Sequence, residues 1–164
     1  MTGAWRPELP ELLQDRALSQ DGSSIQVHGS AVAIDGKGIL ILGAAGAGKS
    51  TLALSLMAFG ATLIADDGIR VTVSDAGGKP VLHRPDGATD LIEARGVGLL
   101  HAGQIAPCAP LELIVDLDHA EADRLPPRRM AAIDGVSFPL IRGAGHPTLA
   151  PVVLQMVRVG RAVP

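Results

Sequence analysis

An α/β domain with a mixed sheet, few helices and a phosphate-binding loop is the fold class this sequence predicts. Three features predict it. The segment Gly43-Ala44-Ala45-Gly46-Ala47-Gly48-Lys49-Ser50-Thr51 has the spacing of a P-loop, the glycine-rich turn that cradles phosphate. Turn signals separate many short apolar runs, as hairpins require. Few segments read as helices, and that imbalance argues against a doubly wound parallel sheet.

At 164 residues the chain reads as one domain, 1–164, with residues 1–24 a polar, adaptable lead-in. Residues 25–29 and 31–35 read as strands, and Asp35-Gly36-Lys37-Gly38 as the hairpin turn into the cradle strand, 38–42. Residues 50–59 hold good helix formers without proline, and Gly60 stands where a C-cap glycine belongs. The motif therefore sits between strand and helix, as it must. A short strand over 62–67 then ends in Asp66-Asp67, and strands over 70–73 and 80–83 flank a turn at 74–78. Residues 84–110 are rich in Gly and Pro. Residues 111–117 form the next clear strand, 123–129 a basic loop, and 136–141 the last strand. The tail reads as a helix capped by Thr148, with Pro151 in its first turn, where a missing N–H does no harm.

The composition narrows the function. Hydrophobic residues make up 47% and mean hydropathy is +0.30, but aromatics reach only 2% with no tyrosine, so the core must be aliphatic. A net charge of −3 supplies no basic field for nucleic acid, and few rings exist for bases to stack on. Cys108 is the single cysteine, so no intrachain disulfide forms, which suits a reducing cytoplasm. The acidic start, with Glu8, Glu11 and Asp15, lacks signal-peptide order, and the weakly polar stretch 51–65 is too short to span a bilayer. A soluble cytoplasmic protein without membrane or nucleic-acid partner is expected.

The cradle carries the chemistry. Gly43, Gly46 and Gly48 let successive backbone N–H groups face one anion, and the helix dipole adds to that field. Lys49 would reach the β- and γ-phosphates, and Ser50 would place its hydroxyl on magnesium. Such a site also needs an acidic residue at a strand end. Asp66-Asp67 and Asp116 both qualify, and spacing alone does not choose between them. The doublet leans towards function, because adjacent like charges need a nearby cation. On its own His28 reads as a turn histidine, and Glu93 with Arg95 as a solvated pair. Arg124, Arg128 and Arg129 read as an exposed basic loop, although a mobile arginine loop can also close on transferring phosphate.

Together, His28-Gly29, the cradle at 43–50, Ala65-Asp66-Asp67, Glu93-Ala94-Arg95-Gly96-Val97-Gly98 and Asp123-Arg124-Leu125 resemble the bacterial HPr kinase/phosphorylase family, in the family's order. The resemblance covers the catalytic domain, roughly residues 15–160, and points to the short form without the family's N-terminal domain. It implies the P-loop fold shared with phosphoenolpyruvate carboxykinase. It also implies an ATP- and magnesium-dependent kinase acting on a serine of HPr, a phosphocarrier of the sugar phosphotransferase system. A reverse-type reaction follows, in which inorganic phosphate attacks phosphoserine and releases pyrophosphate. Family members assemble as hexamers, and the apolar tail is expected to bury part of itself against another subunit.

Carried over by position, Lys49 contacts the transferred phosphate, and Ser50 and Glu93 look like magnesium ligands. Residues 43–51 make up the nucleotide site. Asp67 looks like the base for the serine hydroxyl, supported by Asp66, with His28 nearby and Arg124 as catalytic arginine; Asp116 is left as structural. The family's proline- and arginine-rich segment corresponds to Pro139-Leu140-Ile141-Arg142-Gly143-Ala144-Gly145-His146, where only Arg142 keeps the charge. The rival readings are a small-molecule P-loop kinase, which should show a larger helical lid, and a sensor that binds nucleotide without turning it over.

Overall fold

Asp-Gly dipeptides make two of the tight turns of this fold. The computed structural model describes residue 13, residues 17–73 and residues 78–162. Strand β1 (Ala17–Asp21) turns at Gly22 into β2 (Ser24–Val27). After it, β3 (Ser30–Ile34) turns at Asp35-Gly36 into β4 (Lys37–Leu42). Both turn residues have positive φ, 50° and 77°, the geometry that matches strand twist in a two-residue hairpin. Helix α1 (Lys49–Ala58) follows the cradle, then β5 (Thr62–Ala65), β6 (Ile69–Thr72) and β7 (Val81–His83). The hairpin β8 (Leu91–Ala94) and β9 (Gly98–His101) precedes the long β10 (Cys108–Asp116). A further Asp-Gly turn, φ 49° and 78°, joins β11 (Met130–Ile133) to β12 (Val136–Arg142), and helix α2 (Leu149–Val159) closes the described chain.

The strands run in the order β1-β2-β6-β7-β10-β4-β3-β5, with β12 also on β10 and β11 outside β12. Pairings of β10 with β4 and with β12 are parallel; the other pairings of this sheet are antiparallel. The sheet is mixed, as expected. Strand β10 changes partner along its length. Cys108–Pro110 pair with β7, and from Leu111 onward the strand runs beside β4. Pro110 has no N–H to give to a ladder, so the proline stands where one pairing ends and the next begins.

Period-two alternation divides the core into two layers. Val32, Ile34, Ile39, Ile41, Leu113 and Val115 face the helices, meeting Leu52 and Leu56 of α1 and Val153 and Leu154 of α2. Their neighbours Ala31, Ala33, Leu40, Leu42 and Ile114 face the other way, onto Ile25, Val27, Ile69, Val71 and Leu82. A helix layer, a central sheet and a second antiparallel layer result. The core is aliphatic apart from Phe138.

Several expectations are corrected. Strand β1 lies inside the segment read as lead-in; the rest of residues 1–16, apart from residue 13, lies outside the described residues, as does the expected turn at 74–78 except for Gly78. Residues 84–110, to which the sequence reading assigns no element, hold the β8–β9 hairpin, whose turn uses Gly96 at φ 79°. Thr148 precedes α2 without a side-chain cap. The tail buries Leu149, Ala150, Val153 and Leu154 within its own chain, and the exposed Val152 and Val159 are the apolar part left for the contact with another subunit expected of it. No helix among the described residues is long and apolar enough to cross a membrane.

Gly29 joins β2 to β3 directly against β4. A Cβ there would lie 2.9 Å from the Ile41 carbonyl oxygen and 3.2 Å from a Leu42 methyl. Backbone cannot yield cheaply, so Gly29→Ala should cost about 1–3 kcal/mol of overpacking. Urea unfolding checks it; an unchanged midpoint would show that β2 and β4 can move apart.

Candidate active site

The first residues after three strands and one hairpin meet above the cradle. Strand β4 leads into residues 43–48, β5 into Asp66 and Asp67, and β2 into His28, while β8–β9 folds back across the opening. The cleft they enclose is about 470 Å³, within the range of small-molecule sites. His28, Ala45, Gly46, Gly48, Lys49, Ser50, Thr51, Asp66, Asp67 and Glu93 all line it.

The cradle is tightly built. A Cβ on Gly43 would come within 2.8 Å of the Ala47 Cβ and 3.1 Å of the Leu117 Cβ, so only glycine fits. Gly48, at φ 101°, starts α1 without any side-chain cap, leaving the helix's positive end to the cleft. Lys49 is buried, and its ammonium donates to the carbonyls of Gly43 at 2.9 Å and Ala44 at 3.0 Å. Those bonds offset the cost of burying a charge.

Asp66 is the most connected side chain in the cleft. The buried Ser30 hydroxyl donates to its Oδ1 at 2.6 Å, and the Ser50 hydroxyl reaches both carboxylate oxygens at 2.9 Å. The backbone N–H of Glu93 adds a long contact at 3.5 Å. One carboxylate thus ties β3, α1 and β8 to the end of β5. Arg84 supports it from behind, donating to the Ile64 carbonyl at 2.9 Å and the Ala88 carbonyl at 2.8 Å.

Asp67 takes the opposite role. Its φ of 66° is the left-handed region, uncommon for any residue but glycine, and it turns the side chain outward to 80% exposure. There its Oδ1 lies 3.4 Å from His28 Nδ1. Adjacent carboxylates therefore differ in kind: Asp66 is held by the hydroxyls of Ser30 and Ser50, and Asp67 is exposed at the rim.

Two expected residues lie elsewhere. Arg124 is exposed in the loop between β10 and β11 and does not line the cleft. That loop is held by Arg129, which donates to both oxygens of Glu121 at 2.5 and 2.9 Å and pulls the Glu121 carboxyl pKa down to about 2. Arg142 also lies outside the cleft lining, its charge adding to the field on Glu121. Away from the site, burial and the nearby Arg70 lower the pKa of His83, which bonds Thr72. Arg95, expected in a solvated pair, lines the cleft, with a guanidinium nitrogen 3.6 Å from where a Gly46 Cβ would stand. Thr89, Leu91 and Leu99 also line it unforeseen. Gly96 and Gly98, just after Arg95, are the available signal, because such glycines mark a hairpin tip. Asp116 is buried as a structural residue, 3% exposed and bonded to His119 and the Asp118 N–H.

Ser30→Ala removes a donor from an ionised carboxylate and should cost about 1.5–3 kcal/mol. Denaturant unfolding at neutral pH measures this; a loss below about 0.5 kcal/mol would mean Ser50 alone holds Asp66.

Residues 20–134 match the family model described as HPr Serine kinase C-terminal domain. An HPr kinase/phosphorylase of Mycoplasmopsis pulmonis is 35% identical over 123 residues, covering 71% of this chain and 39% of the relative. One from Streptococcus thermophilus is 35% identical over 141 residues, covering 76% and 43%. The chain thus spans about two fifths of the length of these curated relatives. A solved Hpr(Ser) kinase/phosphatase from Coxiella burnetii superposes with a TM-score of 0.66 at 24% identity, over 81% of this chain and 93% of that one, and shows the same fold. By its match over residues 20–134, the chain belongs to the HPr serine kinase C-terminal domain family.

Proposed function

We propose that this domain transfers the γ-phosphoryl group of ATP to a serine of an HPr-type phosphocarrier protein, with magnesium. The observation that carries the reading is the division of labour between Asp66 and Asp67 beside the cradle. A serine carried by another protein must reach an exposed base, and Asp67 is the exposed member of the pair. Relatives named HPr kinase/phosphorylase support the choice of partner.

The donor set fits magnesium. Ser50 Oγ and the carboxylates of Asp66 and Glu93 are all oxygen ligands, as a hard cation takes. Among the described residues no group of three or more His, Cys, Asp or Glu could hold a metal alone. That suits magnesium, which is usually shared between one or two carboxylates and the substrate's phosphates. When bound it would neutralise charge on the phosphates.

The chain's own residues do the rest. The N–H groups of the cradle and of the first turn of α1 orient the phosphates. Lys49 exchanges its bonds to the Gly43 and Ala44 carbonyls for phosphate oxygens, and Arg95 offers a second cation over Gly46. Asp67 accepts the proton of the serine hydroxyl as that oxygen attacks the γ-phosphorus and the bond to the leaving ADP breaks. His28, 3.4 Å from Asp67, steadies the carboxylate. In the reverse direction, inorganic phosphate attacks the phosphorus of phosphoserine. The serine oxygen leaves with the proton from Asp67, and pyrophosphate forms. Phosphoryl transfer depends on placement and charge more than on covalent help. Arg124 enters only if its loop closes over the cleft. Assembly as a homo-oligomer, a hexamer by resemblance, and a cytoplasmic location belong to the same proposal.

Incubation with γ-labelled ATP and an HPr-type protein should label one serine. Lys49→Ala should lose about 3 kcal/mol or more of transition-state stabilisation. Asp67→Asn keeps the size but accepts no proton, and should slow both directions by roughly a hundredfold or more. ATP binding without label transfer to any serine would favour the sensor reading. A spared direction in Asp67→Asn would move the base to another residue.

A further inference from the structure

The end of β10 reaches the cradle from the flank of β4 away from β3 and β5. It is closely braced for a segment outside the cleft. The buried carboxylate of Asp116 accepts the Asp118 N–H at 2.9 Å and lies 2.6 Å from His119 Nδ1, curling residues 116–119 into a closed turn. Two backbone bonds fasten that turn to the residues just after β12, Gly143 N–H to Asp116 O at 2.8 Å and Ala144 N–H to His119 O at 3.1 Å. On its other side Leu117 N–H donates to Leu42 O at 2.8 Å, and the Leu117 side chain packs on Gly43.

This bracing carries the Asp118 side chain to the cradle. Asp118 Oδ1 accepts the backbone N–H of Ala44 at 2.9 Å. The Ala44 carbonyl in turn accepts Ala47 N–H at 3.0 Å and the Lys49 ammonium at 3.0 Å. The second residue of the cradle is therefore engaged through both polar atoms of its backbone, and the turn that Lys49 leans on is fixed from outside.

We infer that Asp118 is a positioning residue for the phosphate cradle, holding the Ala44 N–H so that the cradle is shaped before nucleotide arrives. The inference rests on the nucleotide reading above. Charge makes the arrangement informative. A carboxylate beside an anion site repels phosphate, so a merely electrostatic presence would make every neutral substitution improve binding. A positioning role makes the acceptor decisive instead, because a preformed loop loses less freedom on binding. Asparagine keeps an Oδ1 acceptor without the charge; alanine keeps neither.

The test is calorimetric titration of ATP with magnesium into wild type, Asp118→Ala and Asp118→Asn, with turnover measured at saturating nucleotide. Asp118→Ala should weaken ATP binding about tenfold, the scale of losing a charge-assisted hydrogen bond, while kcat changes less than about threefold. Asp118→Asn should bind within about threefold of wild type or more tightly. Equal binding by Asp118→Ala, or tighter binding by both variants, would overturn the inference and leave the nucleotide reading standing. No ATP binding by wild type would overturn both. Hydrogen exchange at the Ala44 amide gives a check that does not need the alanine variant to fold. Protection in wild type and in Asp118→Asn is expected, and unprotected exchange in wild type would overturn the inference.

Discussion

The candidate site is organised by the carboxylate of Asp66. It gathers the hydroxyl of a buried serine from β3, the first-turn hydroxyl of α1 and the backbone of β8 onto the end of β5. Those elements lie far apart in sequence, and nothing in their individual propensities brings them together. An ionised carboxylate close to the core is costly unless donors surround it, so the same requirement that stabilises Asp66 draws the cleft closed around it. Once Asp66 is committed inward, the next residue must leave the strand. Asp67 does so through a left-handed backbone, and its side chain emerges at the rim.

The central sheet gives this arrangement its rigidity. The parallel pairing of β4 with β10 brings the cradle and the Asp116–His119 turn out at the same end of the sheet. Both faces of these strands are covered, one by the helices and one by the second antiparallel layer. The cradle therefore stands on a support packed from both sides. The β8–β9 hairpin is supported on one side only: β8 packs on α1 with Ile92 and Ala94 buried and touches Asp66, whereas Val97 and Leu99 are 77% and 67% exposed. A rigid cradle facing a hairpin with an exposed outer end suits the proposed transfer to a serine carried by another protein.

Much of this is legible in the sequence. The cradle announces itself because its glycine spacing is a local backbone requirement, and the apolar strand and helix formers on either side agree with its setting. Asp35-Gly36 marks the β3–β4 turn, and Asp134-Gly135 carries the same signal for β11 and β12, although β11 itself is too short and small-residued to stand out. Strand β1 is hidden because residues 17–21, Ala-Leu-Ser-Gln-Asp, show little alternation of polarity. What no local pattern supplies is proximity. Arg95 reaches the cradle only because a hairpin folds back over it, and Asp118 meets Ala44 only because β10 runs beside β4. The choice between Asp66 and Asp116, left open by spacing, is a matter of contact. Asp66 touches Ser50, whereas Asp116 is bonded to His119 and the Asp118 N–H.

If Asp66 and the proposed magnesium ligand Ser50 work as one unit, their losses cannot be independent. A double-mutant cycle on magnesium-dependent nucleotide affinity, using Ser50→Ala, Asp66→Asn and the pair, tests this directly. Either single change should remove most of the magnesium dependence, and the double variant should be little worse than the weaker single, a coupling of about 1 kcal/mol or more. Losses that simply add would mean that Ser50 and Asp66 act separately, and would contradict the central place of their contact in the site.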